Sequence, residues 1–337
     1  MRAVVMTQPG GPEVLEARQD WPQPEPEANE VRVRLIAAGV NPVDAKQRQR
    51  GPFLGKPPCV LGCDGAGIID AVGEEAASAG WREGDAVWFC YGGLGQPRAG
   101  CYAEACCVPE AYLAPKPEGV DFATAAAAPL VLITAWEALV DRAGIEAGMK
   151  VAINGAAGGV GHVAVQIAKL FGCEVAAIVS SDEKQRFVEA LGADRIVRRD
   201  REDVRTALLD WTDGRGVDVA LDVVGGDALH PLAAAVRPYG DLVTLLQLPS
   251  DTDLKGLRLR NVRISQELML TPMMLGLEDA ARHQADILRR CGAWLEEGSL
   301  AVKIAARFAL EEAEAAHRAI EAWNTLGKIV LEIGGKP

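Results

Sequence analysis

The sequence is short of positive charge, of histidine and of long apolar runs, and each shortage excludes something. Lys and Arg number 35 against 47 Asp and Glu, a net charge of −12. The basic footprint that phosphate-backbone binding needs is missing, so nucleic acid is not an expected partner. No apolar stretch approaches the ~20 residues that span a bilayer, so no membrane contact is expected either. Met1 to Met6 is too brief and too soon polar for a secretory signal, which points to the cytoplasm. The four histidines, His162, His230, His283 and His317, show no pairing at metal or triad spacing. Eight cysteines contain no C-x-x-C, and Cys106 and Cys107 are adjacent, so on a strand they would face opposite ways and could not share an ion. Disulfides are improbable in such a chain, and the thiols read as small apolar filler. What remains, 49% hydrophobic and 24% charged over 337 residues, is ordinary globular composition, long enough for two domains.

The most informative stretch is Val151-Ala152-Ile153-Asn154-Gly155-Ala156-Ala157-Gly158-Gly159-Val160-Gly161. A short apolar strand runs into glycines. Val160, Val163, Ala164, Ile167 and Phe171 then follow at helical spacing, Gly172 ends that helix, and Glu174 to Val179 reads as a second strand. This is a βαβ unit of the length the dinucleotide fingerprint requires, whose glycines let a pyrophosphate approach the free N–H groups and positive end of the helix. An ordinary tight βα turn is the alternative for the glycines alone.

Two grammars flank this unit. The first 120 or so residues are β-rich: strands at Arg2–Thr7, Glu13–Ala17, Glu30–Ala38, Cys63–Val72 and Asp85–Phe89 alternate with Gly/Pro turns, the pattern of a partly open barrel. Asn41-Pro42 opens a short helix there, with Asn41 as N-cap. From Phe122 helices and strands alternate, with strands at Val175–Val179, Arg195–Val197, Val217–Val223, Asp241–Leu246 and Val262–Leu270. That alternation predicts a doubly wound parallel sheet, with Val262–Leu270 as an edge strand. A helix over Gly276–Glu297, a strand at Val302–Ala305, a helix over Leu310–Trp323 and a strand at Lys328–Ile333 complete the chain.

Cofactor choice is written at the end of the second strand. NAD-specific enzymes place an Asp or Glu about 20 residues past the glycines, where it would repel a 2′-phosphate. Here the residue 19 positions after Gly161 is Ser180, followed by Ser181, with Lys184 in the next helix and Arg199 just past the third strand. Hydroxyls and cations suit NADPH. Asp182 and Glu183 are expected to serve as helix-capping acids.

A family resemblance rests on Asn41-Pro42-Val43-Asp44 with Arg48, Gly62-Cys63-Asp64-Gly65-Ala66-Gly67, Gly84-Asp85-Ala86-Val87, Tyr102-Ala103-Glu104, Leu132-Ile133-Thr134-Ala135-Trp136, Ala156 to Gly161, Leu191-Gly192-Ala193-Asp194 and Gly327-Lys328-Ile329-Val330-Leu331. In that order and spacing the chain resembles a medium-chain dehydrogenase/reductase, and within that superfamily the zinc-independent, zeta-crystallin-like quinone oxidoreductases. The resemblance implies a GroES-like β-barrel catalytic domain from residues 1–123 and 271–337, an inserted Rossmann NADP-binding domain at 124–270, the cofactor between them, and a two-fold homodimer through the sheet edge. It also implies no metal: Asn41, Cys63-Asp64 and Ala128-Pro129-Leu130 stand where zinc enzymes of the superfamily carry their ligands.

Without a Lewis acid to activate an alcohol, hydride delivery to an electron-poor acceptor is the easier direction. The expected activity is NADPH-dependent reduction of quinones or other α,β-unsaturated carbonyls. The alternatives are an enoyl or enone reductase with little quinone activity, and a non-catalytic NADPH-binding crystallin-like protein. Oxyanion donors are sought in Asn41, Lys46 and Arg48. Lys46 replaces a tyrosine common in relatives and is either a functional ammonium or a solvated surface lysine; Arg48 either pairs with Asp44 or touches ligand. Carried over by position, the cofactor contacts are Asn41, Thr134, Ala156, Ala157, Gly158, Gly159, Val160, Gly161, Val224, Leu245, Gln247 and Lys328, joined by Ser180, Ser181, Lys184 and Arg199. Residues 47–58, 91–100 and 247–260 are expected to form substrate loops.

Overall fold

The computed structural model of the protein describes residues 1–322 and 324–334. The chain divides into two compact units, Met1–Leu130 with the described residues from Leu270 onward, and Val131–Met269. The first break falls late because the alanine-rich helix Phe122–Ala127 packs on the barrel strands: a Cβ on Gly39 would lie 2.5 Å from the Ala126 carbonyl oxygen.

Among the described residues the first unit holds strands β1 (Ala3–Met6), β2 (Leu15–Arg18), β3 (Glu30–Val40), β4 (Cys59–Val60), β5 (Asp64–Val72), β6 (Ala86–Cys90), β7 (Ala105–Pro109) and β8 (Leu113–Pro115). β1 pairs antiparallel with β2 and with β4. β3 alternates buried Val31, Val33 and Leu35 with Arg32 and Arg34 where β7 pairs with it, then is buried throughout from Leu35 to Val40, where β5 lies on one side and β16 (Lys328–Glu332) on the other. Ala-Cys-Cys-Val-Pro in β7 is buried nearly throughout and shows no period-two pattern, which is why sequence periodicity passes over it. All eight cysteines are buried and unbridged.

The second unit is built on β9 (Lys150–Asn154), β10 (Glu174–Val179), β11 (Arg195–Arg198), β12 (Val217–Asp222), β13 (Val236–Thr244) and β14 (Arg263–Gln266), arranged β11-β10-β9-β12-β13-β14 and all parallel. This is the doubly wound order whose reversal point lies beside β9. Ala152, Ile178, Val197, Ala220 and Leu242 point into one core with Leu208, Leu232 and Leu257 from the covering helices. The edge strand is Arg263–Gln266, shorter than Val262–Leu270, since Glu267 and Leu268 have left the sheet and Met269-Leu270 already turn into the helix Thr271–Leu275. Residues 247–260 are not all loop: Leu254–Leu259 is a helix capped by the Asp253 carboxylate, which accepts the Gly256 N–H at 2.8 Å.

The chain then returns to the first unit through helix Glu278–Glu296, β15 (Ile304–Ala309), helix Ala313–Glu321 and β16 (Lys328–Glu332). The expected end of that second helix at Trp323 lies outside the described residues. β16 pairs antiparallel with β3, Ile329 opposite Val40, which carries Lys328 to Asn41. Among the described residues no helix is long and apolar enough to cross a membrane.

Two loops of the first unit are locked together. Leu54 N–H donates to the Leu94 carbonyl at 2.8 Å, and the Gln47 amide bridges both loops, giving its Nε2–H to Gly93 and taking the Phe53 N–H. A Cβ on Gly55 would lie 1.9 Å from the Gly95 carbonyl oxygen, so the backbones touch only because glycine is there.

Candidate active site

Helix α1 (Pro42–Arg50) begins where β3 ends, with Asn41 at its N-cap position. The Asn41 side chain does not cap it. Its Nδ2 donates to Asp64 Oδ2 at 2.9 Å and its Oδ1 accepts from Lys328 Nζ, while the helix entry is fixed from the other side by Asp44, whose Oδ2 takes the Asn41 N–H at 2.8 Å. Lys328 also reaches Val40 O at 3.4 Å and Asp64 Oδ2 at 3.5 Å. Asp64 Oδ1 accepts the Leu130 N–H at 2.8 Å. Asn41, Asp44 and Asp64 are fully buried and Lys328 is 3% exposed. Burial pushes the Asp64 carboxyl up, against the pull of Lys328 and the Asn41 amide.

A second chain of hydrogen bonds runs away from Asp44. Arg48, 1% exposed, donates to His317 Nδ1 at 3.4 Å and pairs with Glu321 at 2.5 Å. A guanidinium can only donate, so Nδ1 accepts and the proton sits on Nε2, directed at Tyr102 Oη 3.1 Å away; Tyr102 in turn donates to Asp44 Oδ2 at 3.1 Å. The Cys63 thiol lies 3.7 Å from Asp44 Oδ1, its ionisation suppressed by burial and by both carboxylates.

Two expected roles change here. Arg48 neither pairs with Asp44 nor presents itself to a ligand: with Gly10 O, His317 and Glu321 around it, it ties α1 to helix Ala313–Glu321. Lys328 was expected to reach the cofactor, but its ammonium is buried against Asn41, Val40 and Asp64. Lys46 is half-buried, makes no hydrogen bond or ion pair among the described residues, and has its pKa lowered by burial and by neighbouring Arg50.

In the second unit, Asn154 closes β9, Gly155 turns at φ +78°, and the helix runs from Gly159 to Leu170 with Gly158 as N-cap. A Cβ on Gly161 would sit 2.2 Å from the Gly155 carbonyl oxygen, so this position admits no side chain. Ala156 and Ala157 are buried, and Gly158, Gly159 and Val160 are partly open at the helix N-terminus. Thr134 is buried in helix Pro129–Trp136.

The end of β10 gathers Ser180, Ser181 and Lys184. Ser181 caps helix Asp182–Ala190 by accepting the Lys184 N–H at 3.2 Å, while Lys184 Nζ lies 3.5 Å from Ser180 Oγ. The capping expected of Asp182 is thus done by Ser181. Asp182 instead pairs with Arg198 and Arg201, which hold its carboxyl below the usual range. Arg198 is also engaged by Asp200 at 2.8 Å, whereas exposed Arg199 makes no side-chain bond among the described residues.

At the ends of β12 and β13, the amides of Val224 and Gly225 turn inward to the Asp222 carboxylate at 3.1 and 3.0 Å, and Asn154 Nδ2 joins them at 2.9 Å. Those two N–H groups are therefore not free to meet a ribose, as position alone implied. Leu245 is half-buried and Gln247 exposed just beyond β13.

Sequence reasoning missed Asp64, Tyr102 and His317 as members of the buried network. Their signal was a polar residue inside an apolar motif, visible for Asp64 in Gly-Cys-Asp-Gly, but the partners are up to 269 residues apart.

Residues 27–118 match the alcohol dehydrogenase GroES-like domain and residues 191–331 the zinc-binding dehydrogenase family. The quinone oxidoreductase of Pseudomonas aeruginosa is 34% identical over 326 residues, 96% of each chain. The chain belongs to the quinone oxidoreductase family of medium-chain dehydrogenases/reductases. Among solved structures, one described as an NAD-dependent alcohol dehydrogenase is 34% identical with a TM-score of 0.88, covering 99% of this chain and all of that one. A mycobacterial protein solved in complex with NADPH is 27% identical with a TM-score of 0.87, over 98% of this chain and all of that one. Like its family, this oxidoreductase works with a nicotinamide cofactor on a small molecule.

Two buried groups of this family member give opposite pH dependences. Burial raises Asp44 to about 7, against the Asn41 N–H, Lys328 and Tyr102 and with the help of Asp64. The fold then holds a proton that the unfolded chain releases near pH 4, so this contribution to stability declines as pH rises from about 4 to 7. Burial and Arg48 lower His317 to about 3, despite Glu321. There the unfolded chain binds the extra proton, and stability declines as pH falls from about 6.5 to 3. The two slopes offset each other between about pH 4 and 6.5. Replacing Asp44 by Asn is expected to unmask the His317 slope, so that urea midpoints drop more steeply on acidification than in the wild type. Parallel profiles for variant and wild type would contradict the Asp44 assignment.

Proposed function

We propose that the protein is a zinc-independent reductase that transfers hydride from NADPH to quinones or other α,β-unsaturated carbonyl compounds. The observation that carries the absence of zinc is the Lys328 ammonium bonded to Asn41 and Asp64. A dication placed among Asn41, Cys63 and Asp64 would sit against a fixed positive charge, and among the described residues there is no group of three His, Cys, Asp or Glu that could hold a metal. These residues do not fit the metal that the zinc-binding dehydrogenase description implies. Retained activity in a strong chelator, with a panel of quinones and enones as acceptors, is the expected result. Activity that is lost in chelator and restored by zinc would refute it.

The bound nicotinamide supplies the hydride; the chain supplies position and charge. The helix N-terminus at Gly158–Gly161 suits a pyrophosphate, and the closely packed Gly161 lets the turn lie against the helix. Asn41 keeps one Nδ2–H beyond the one given to Asp64, a donor for oxygen charge that grows as hydride arrives. Lys46, half-buried with a lowered pKa, is the proposed proton source or oxyanion partner. Enones and quinones share this electron demand, so an enone reductase with little quinone activity is the same site with a different acceptor.

The choice of NADPH rests on which cations are spare. Arg198 and Arg201 are neutralised by Asp182 and Asp200, leaving Lys184 beside Ser180, and Arg199, to meet a 2′-phosphate. A charge-assisted hydrogen bond is worth ~1.5–3 kcal/mol, or roughly ten- to a hundredfold in affinity. Lys184→Ala is expected to raise KM for NADPH by at least about tenfold and to leave that for NADH nearly unchanged. Equal losses with both cofactors, or equal wild-type efficiency with both, would exclude phosphate reading at this edge.

The proposed working form is a cytoplasmic homodimer, for which eight unbridged cysteines suit a reducing compartment. Among the described residues β14 pairs only with β13, so its other side offers an unpaired strand edge, and Leu259 and Leu268 near it in sequence are 77% and 51% exposed. Light scattering at micromolar concentration should return twice the chain mass; a monomer would dismiss the dimer.

A further inference from the structure

We propose that Lys328 is a positioning residue for hydride transfer, acting through the Asn41 amide and making no contact with the cofactor. The proposal rests on the reading of Asn41 as oxyanion donor. An asparagine amide has two faces of opposite character that can exchange by a half-turn, so an amide that must donate needs something to hold it. In this site two groups of fixed polarity do so. An ammonium can only donate, and Lys328 Nζ meets Asn41 Oδ1; an ionised carboxylate can only accept, and Asp64 Oδ2 lies 2.9 Å from Asn41 Nδ2. Reversing the amide would set NH₂ against ammonium and carbonyl against carboxylate, losing both bonds.

The clamp is itself held. β16 carries Lys328 alongside the end of β3, where Val40 O takes a further ammonium hydrogen at 3.4 Å, and Asp64 Oδ1 is anchored by the Leu130 N–H. After these bonds Asn41 retains one Nδ2–H with no partner among the described residues. The cation on the carbonyl end of the amide draws electron density from that N–H and makes it a better donor, as in any polarised chain of hydrogen bonds. An orienting role needs a donor at position 328. A merely structural role needs the charge opposite Asp64.

That distinction defines the experiment, a single-turnover measurement of NADPH oxidation by 1,4-benzoquinone and by an enone, with NADPH affinity measured separately by calorimetry. Lys328→Met removes the donor and the charge, and Lys328→Gln removes the charge but leaves an amide N–H for Asn41. The expected result is a rate constant about tenfold or more lower for Met, the cost of one oriented hydrogen bond. Gln should restore most of that loss, although both variants leave Asp64 unpaired and are comparably destabilised. NADPH affinity should stay within about twofold in both. In Asn41→Ala the substitution Lys328→Met should cost nothing more. Losses that multiply in the double variant, equal rates for Met and Gln, or a weakened NADPH affinity with an intact rate would each overturn the proposal. If Asn41→Ala alone keeps the wild-type rate, the reading of Asn41 has failed; a normal Asn41→Ala rate beside a slow Lys328→Met would show Lys328 acting by another route. Should Lys328→Met not fold, the Gln variant with and without Asn41→Ala decides: a rate near wild type that becomes no lower than Asn41→Ala upon combination supports the clamp, and independent losses reject it.

Discussion

The carboxylate of Asp64 has no exposure to solvent, and burying such a charge is tolerable only where several donors replace its water. It finds them in four directions of the chain: the Asn41 amide at the end of β3, the Lys328 ammonium at the start of β16, the Leu130 N–H at the start of a helix, and the Cys90 thiol at the end of β6. Each donor must be in place for the anion to be stable, and each is therefore fixed by it. The packing of β3, β5 and β16 is in this sense as much an electrostatic arrangement as an apolar one. Removing one partner of such a set leaves a stranded charge, a loss of ~3–5 kcal/mol, while the whole set contributes less than its bonds suggest.

The second unit solves a similar problem with a different anion. Asp222, also fully buried, takes the Asn154 amide, the Thr244 hydroxyl and the N–H groups of Val224 and Gly225, and so joins the ends of three neighbouring strands. The backbone after β12 is thereby shaped before any ligand arrives. Beyond β10, Arg195, Arg198 and Arg201 are paired with acids one to nineteen residues away, and the electrostatic identity of that edge is set by the cations left over, which a count of basic residues would not reveal.

Legibility of the fold in the sequence followed the reach of the interactions. The strand at Val151, the turn at Gly155–Gly161 and the helix after it are local patterns with a period, and they stand where the residues implied. β7 was invisible because both its faces are buried, and the strand expected over Val262–Leu270 was too long because apolar residues continued into the turn of a helix. The glycines stand at the start of the helix Gly159–Leu170 and Asn41 at the start of α1, as their contiguous motifs implied. The partners of Arg48 and Lys328 could not be read in this way: the returning chain brings Glu321 to Arg48 on a helix and Lys328 to Asn41 on β16, and no spacing rule spans such a distance. Asp182 shows the same limit at short range. Its position suggested a cap, but Ser181 is one residue better placed and the acid was released to pair with arginine.

The glycine contact between residues 55 and 95 gives the two loops on either side of it a common fate. A Cβ at Gly55 has no room, and Gly95 holds a φ of +98° that other residues adopt only under strain. Drift in one loop is therefore limited by what the other presents as bare backbone. A library that varies residues 52–54 while holding 92–96 constant would sample side chains on an unchanged scaffold, whereas insertion or deletion in either loop alone would part them. Heritable change in loop length here should come in matched pairs.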